Sequence, residues 1–277
     1  MGESSGGPGD GNLPGIDLAY DLAACLRFYS RLPVPRLPGE PDPHATPDFR
    51  RVPRMLPVAG VILALPAALV LVAAKGLGLG PFLAATLAVT FAALVTGALH
   101  EDGLADLADG FGGGTTRERR LEIMRDSRIG SYGGVALVLS LALRIGALAT
   151  LLDRTGAVSS AVALVLAASL SRVAALAPMV LLAPARPGGA SAAVGRPSKA
   201  SVGIAAGIGL ALALLGLPVG LPLAGLVLMP LLALTASLVL SGIAQAKIGG
   251  QTGDVIGACQ QVAEIAALLG LILAVPT

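Results

Sequence analysis

Seven stretches of this chain are apolar over roughly the 20 residues a helix needs to cross a bilayer. They are 56–74, 81–99, 133–152, 157–183, 201–217, 219–240 and 256–275. A spanning chain must satisfy its own backbone polar groups, so the expected fold is an all-α, polytopic membrane helix bundle. The charge supply agrees. Only 13% of the residues are charged and 55% are apolar, against about 25% charged in soluble domains. That excludes a soluble globular protein, a disordered chain and a coiled coil. A net charge of +2 is too small for a nucleic-acid partner; the expected surroundings are a lipid bilayer.

The first 15 residues are rich in Gly, Ser and Pro and are expected to form a disordered tail. They lack the basic start and apolar run of a signal peptide. Residues 16–277 are expected to form one integral-membrane catalytic domain. It opens with an amphipathic helix over 16–30, where Leu18, Leu22, Cys25, Leu26 and Tyr29 recur at helical spacing. Such a helix belongs at the membrane interface. Prolines through 31–54 forbid a long helix there, and His44 falls in that segment. Cys25 and Cys259 have no metal-type spacing and read as small apolar residues. Gly203 and Gly207 have the spacing of a close helix contact in lipid.

With seven spans, one side carries Arg27, Arg31, Arg36, Arg50, Arg51, Arg54, Arg117, Arg119, Arg120, Arg125, Arg128, Arg186, Arg196, Lys199 and Lys247. The other carries Lys75 and Arg154. Basic residues favour the cytoplasmic side. The N-terminus and the 100–132 segment are therefore expected in the cytoplasm and the C-terminus outside.

Seven of the 17 acids fall between 101 and 126. Asp102, Asp106 and Asp109 stand at i, i+4 and i+7, within about 60° on one helix face. Like charges so placed repel unless a divalent cation neutralises them, and carboxylate oxygens suit Mg²⁺. If the helix continues from the second span, these aspartates stand at its C-terminal end, where carboxylates are unfavourable. That weighs against a merely solvated helix end. His100 beside them is a candidate base or ligand, with interfacial hydrogen bonding as the other reading. Arg117, Arg120, Arg125 and Arg128 are candidates for phosphate binding, or only the positive charge of a cytoplasmic loop. Asp126 is a further metal ligand or their salt-bridge partner. Gly249–Asp254 is a glycine-rich turn before a helix, an anion-binding arrangement, in which Asp254 is a cap or a ligand. Glu264, Arg144 and Arg172 lie at membrane depth, where mutual pairing is expected.

Four pieces carry a family likeness: Phe28–Pro35; His100–Gly110 with the glycines after it; Arg117–Gly130; and Gly249–Asp254 followed by Gly257 and Ala258. Together they resemble the cobalamin synthase family, the adenosylcobinamide-GDP ribazoletransferases. The resemblance implies a Mg²⁺-dependent membrane phosphotransferase. Such an enzyme joins adenosylcobinamide-GDP to α-ribazole, or to its 5′-phosphate, and releases GMP. It further implies metal on Asp102, Asp106 and Asp109, with Glu101 or Asp126 as an added ligand. The attacking hydroxyl's proton would pass to a carboxylate of the cluster or to His100. Gly250, Thr252 and Asp254 would cap the guanosine or ribazole side. The oligomeric state, a homo-oligomer included, stays open. Asp106, Asp109 and Gly110 also match the opening of the CDP-alcohol phosphotransferase motif, but Gly113 and Gly114 replace its next positions and its later aspartate run is missing. A secondary transporter is the third reading, although its charges would cluster at the midplane. Aromatic residues make up 3% of the chain with no Trp, and no stacking platform for a base is apparent.

Overall fold

The structure is a computed structural model; it describes residues 14–43, 45–186, 188 and 194–276. Most of the N-terminal tail, as well as His44, lies outside the described residues. The helices are α1 (Pro14–Tyr29), α2 (Leu56–Gly76), α3 (Pro81–Thr96), α4 (Leu99–Gly113), α5 (Arg117–Ile123), α6 (Ser131–Ala174), α7 (Ala177–Leu181), α8 (Lys199–Ala213), α9 (Leu223–Ile248) and α10 (Gly253–Ile272). Among the described residues there is no strand, only an isolated bridge between Pro184 and Gln251. The all-α membrane bundle expected from sequence is the fold.

Five helical segments are long and apolar enough to cross a bilayer, or six if α3 and α4 are one broken span. The longest includes α6, which leaves helical geometry at Gly156 (φ 80°, ψ 176°). Arg144 and Arg172, 28 residues apart, line the same small cavity. A straight helix would separate them by about 42 Å. Gly156 therefore folds α6 into two antiparallel arms, at the boundary between the 133–152 and 157–183 stretches.

Without a hydrophobic force between helices in lipid, close packing and hydrogen bonds hold the bundle together. At Gly60 a Cβ would stand 2.8 Å from Ser169 Cα, so α2 packs directly on the backbone of α6. Ser169 Oγ there donates to Pro57 O at 3.0 Å. The pair Gly203 and Gly207 has nothing within 4 Å of either position; both lie on the exposed face of α8, not in a helix contact. α10 is the most enclosed of the candidate spans and packs on α4, α6 and α9. Exposed side chains such as Leu69, Phe82, Val138, Leu210 and Val227 present apolar surface around the bundle.

α1 does not stand apart. Its Asp21 is buried and pairs with Arg51 (3.0 Å) and Arg54 (2.6 Å). Cys25 and Tyr29 pack with Phe49, Val52 and Leu56. The strap after α1 is pinned by Arg27, which binds Glu40 through both terminal nitrogens and holds that carboxyl below its usual range. Both cysteines are buried and free, as expected of small apolar residues.

Candidate active site

The second span does not run on into the acidic segment. α3 stops at Gly97 (φ 64°), and Ala98 (φ 56°) is also left-handed. A Cβ at Gly97 would collide with the side chain of Arg31, which lies across the turn. α4 then leaves at 90° to α3. Glu101 and Asp102 consequently occupy the first turn of a new helix, the end where carboxylates are favourable. The expectation that the aspartates crowd the end of the second span is thereby corrected, although Asp109 still lies toward the C-terminal end of α4.

Asp102 is exposed and Asp106 half-buried, and neither carboxylate makes a hydrogen bond or ion pair among the described residues. Between them in sequence, Gly103 meets α10. A Cβ there would stand 3.1 Å from Asp254 Cα and 3.4 Å from Gly257 Cα. This contact brings Asp254 to the acidic face, where Asp106 feels the charges of Asp102, Asp254 and Asp109, opposed by Arg186. Arg186 Nη2 lies 3.2 Å from Asp254 Oδ2, and the Thr252 hydroxyl donates to the same oxygen at 3.1 Å. Thr252 also caps α10 by accepting from Val255 N.

The other acids are engaged elsewhere. Asp109 accepts from Gly130 N (2.7 Å) and Gly133 N (2.8 Å), and so caps the start of α6. Glu101 turns into the bundle and pairs with Arg144 at 2.7 Å. Asp126 is bound by Arg128 in an exposed turn; that side-chain bond, aided by the Arg128 backbone N–H, lowers its carboxyl to about 2. Of the five acids read as metal ligands, the structure leaves Asp102 and Asp106 with uncommitted oxygens; Asp254, read as a cap or a ligand, stands beside them, and the cap is Thr252. Among the described residues no group of three or more His, Cys, Asp or Glu is arranged to hold a metal ion. Removing the Asp109 cap tests its role: Asp109→Ala is expected to cost about 1–2 kcal/mol of stability. Its thermal midpoint should fall, while turnover per folded molecule suffers far less than in a variant of Asp106.

The arginines of the 117–128 run also divide. Arg117 donates to Ile248 O (2.8 Å) and Ala185 O (2.6 Å), and Arg120 donates to Lys247 O (3.0 Å). They fasten α5 to the end of α9 and to the loop at Ala185; that loop is joined to the turn after α9 by Ala185 N to Gln251 O and Gln251 N to Ala183 O, both 2.8 Å. Gly250 is required there, since a Cβ would run into Ala183 O. Arg125 and Arg128 are exposed. Of the four candidates for phosphate binding, Arg117 and Arg120 are thus engaged as backbone fasteners, while Arg125 and Arg128 are surface cations. The basic residue that reaches the face of Asp102, Asp106 and Asp254 is Arg186, whose sequence signal was only its place among the cations of the cytoplasmic side. Arg186→Gln is expected to free Asp254 and to raise the KM of a phosphate-bearing substrate about tenfold, the scale of one charge-assisted bond; steady-state kinetics would show it.

Beside the acids lies a cavity of about 230 Å³, lined by Phe28, Tyr29, Phe49, Leu99 and Met179, with Asp102 and Asp254 at its wall. His100 is buried and stacked on Tyr29, ring centroids 5.7 Å apart and planes 7° off parallel. Deeper still, Arg144 joins Glu101 and Glu264 (2.9 Å), and Gln260 donates to Glu264 at 2.7 Å. Glu264 thus pairs with Arg144, one of the two partners expected, while Arg172 instead donates to Ala168 O.

Fold and site together define an integral-membrane helix bundle with a carboxylate-rich site where α4 meets α10. Cobalamin-5-phosphate synthase is the family whose sequence pattern matches, over residues 21–272. A protein of Azorhizobium caulinodans called adenosylcobinamide-GDP ribazoletransferase is 50% identical over 262 residues, 91% of this chain and 95% of its own length. One of Xanthobacter autotrophicus with the same name is 50% identical over 261 residues, 92% and 97% of the two chains. A third, of Bradyrhizobium diazoefficiens, is 47% identical over 93% of this chain and 96% of its own. The chain belongs to the cobalamin-5-phosphate synthase family. No solved structure matches it.

Proposed function

We propose that this chain is an adenosylcobinamide-GDP ribazoletransferase. It joins adenosylcobinamide-GDP to α-ribazole, or to α-ribazole 5′-phosphate, and releases GMP in a late step of cobalamin synthesis. The observation that carries the reading is the meeting of Asp102 and Asp106 with Asp254 and Arg186 beside a cavity, in a chain half identical to proteins of that name.

The reaction is a phosphotransfer. The ribazole hydroxyl oxygen forms a bond to the phosphorus on the cobinamide side, and the bond from that phosphorus to the GMP oxygen breaks. Such chemistry asks mainly for positioning and charge neutralisation. The donors fit Mg²⁺: they are hard carboxylate oxygens, those of Asp102 and Asp106 uncommitted, and Mg²⁺ commonly takes one or two carboxylates plus substrate phosphates. Asp102 and Asp106, with Asp254 adjacent, would hold it, and it would neutralise charge developing on the diphosphate. Arg186 and Thr252 orient Asp254. Gly103, by admitting α10 to backbone contact, sets the distance between the two helices that carry these acids. The proton of the attacking hydroxyl passes to a carboxylate oxygen of this face.

We further propose seven crossings, counting the two arms of α6 separately and α3 with α4 as one. The N-terminus and the site would face the cytoplasm of a bacterial inner membrane. Purified protein in liposomes, given adenosylcobinamide-GDP, α-ribazole and Mg²⁺, should release GMP and form the cobalamin product. No GMP from a folded preparation defeats the reading. Release of CMP from a CDP-alcohol, or solute uptake, would instead favour the other two classes.

A further inference from the structure

The proposed function assigns the phosphate end of the reaction and leaves the cavity beside it without an occupant. The cavity holds much of the chain's scarce aromatic content. There are five Phe and three Tyr in all, and Phe28, Tyr29 and Phe49 gather here. Phe28 stands edge-on to Tyr29 (centroids 4.8 Å) and to Phe49 (5.5 Å). Tyr29 and Phe49 are buried, whereas Phe28 is 41% exposed. Its ring is therefore held by neighbours yet open to a ligand. Leu99, Met179 and Ile256 complete an apolar wall, and Asp102 and Asp254 stand at the same cavity.

We infer that this cavity is the subsite for the benzimidazole base of the ribazole substrate, which stacks on Phe28 and directs its ribose hydroxyl to Asp102 and Asp254. The inference rests on the transferase reading. The base is flat and bicyclic and carries a single edge acceptor, its free ring nitrogen, so a mainly apolar aromatic cavity of about 230 Å³ strands one polar group at most. Guanine is disfavoured there. Its edge carries several donors and acceptors, and burying them against Leu, Met and Phe strands polar groups. The corrin macrocycle is far too large for this volume. The subsite also gives a role to Phe28 and Tyr29, the start of the first of the four family-like pieces, which the phosphate chemistry does not use.

Loss of one aromatic stacking partner costs about 1–3 kcal/mol, and 1.4 kcal/mol is tenfold in affinity. Full-length Phe28→Ala in liposomes should raise the KM for α-ribazole about tenfold and leave the KM for adenosylcobinamide-GDP within twofold. Phe28→Trp, which keeps a stacking face, should restore the first. Equilibrium dialysis of labelled α-ribazole without the second substrate should show the same loss and rescue. A shift confined to adenosylcobinamide-GDP would hand the cavity to guanosine. Two unchanged KM values, or unaltered dialysis, would leave it as lipid-filled packing; either outcome overturns the subsite. Because dialysis needs no turnover, a wild-type protein that binds α-ribazole through Phe28 but releases no GMP would refute the transferase reading and keep the subsite.

Discussion

Asp106→Asn is expected to lower GMP release by about 10³-fold while the protein stays inserted and folded, with a thermal midpoint equal to or above that of the parent. The loss corresponds to roughly 4 kcal/mol of barrier, the scale of removing one preorganised charge-stabilising group. Asn has nearly the same shape and a similar helix propensity, so α4 has no reason to unwind. It removes a negative charge from beside Asp102, Asp109 and Asp254, which relieves repulsion in the resting protein. The same change takes away an anionic oxygen that makes no protein contact among the described residues and is therefore available to Mg²⁺ and substrate. Stability and activity should thus move in opposite directions, a pattern that simple unfolding does not produce. A Mg²⁺ titration of the residual activity should shift to higher concentration. Turnover within tenfold of the parent would remove Asp106 from the chemistry.

Arg144→Met should have the largest effect on stability, about 3–5 kcal/mol. Arg144 is buried between Glu101 and Glu264 and also reaches Gln261. Through these contacts one arm of α6 is tied to both α4 and α10, the two helices that carry the site's acids. Met replaces the volume but leaves two carboxylates without their cation, and an isolated charge at that depth is far more costly than a paired one. The sign is checked by compensation. Arg144→Met combined with Glu101→Gln and Glu264→Gln removes the stranded charges and should recover most of the lost thermal midpoint. Arg144→Lys should fall between, since an ammonium lacks the fork that meets two carboxylates at once. An unchanged midpoint in Arg144→Met, or no recovery in the triple variant, would show that the network does not hold these helices.

Periodicity and hydropathy reached the helices well, because a lipid-facing helix must be apolar over its whole length. The break at Gly156 was legible too: Asp153, Arg154 and Thr155 interrupt the apolar run just before it. The turn at Gly97 and Ala98 was not, because Ala98 is an ordinary helix former whose type gives no sign of its left-handed backbone. Missing that turn put Asp102 at the end of one helix when it stands in the first turn of the next. The arginines show the same limit. A guanidinium that meets a phosphate and one that meets the carbonyls of Ile248 and Ala185 are identical in sequence. The few aromatics gave no sign of a platform, since Phe28 and Phe49 meet only when the strap after α1 folds back.

Composition and spacing were enough to place this chain in a membrane, to make it helical, and to single out the acids after residue 100 as the candidate site. Those properties depend on what each residue is and on its near neighbours. Which acids are available for chemistry depends on partners far along the chain: Gly130 and Gly133 for Asp109, Arg144 for Glu101, and Arg186 for Asp254. A carboxylate's reactivity follows from what its oxygens already bind, and only the packing of α4 against α6 and α10 settles that.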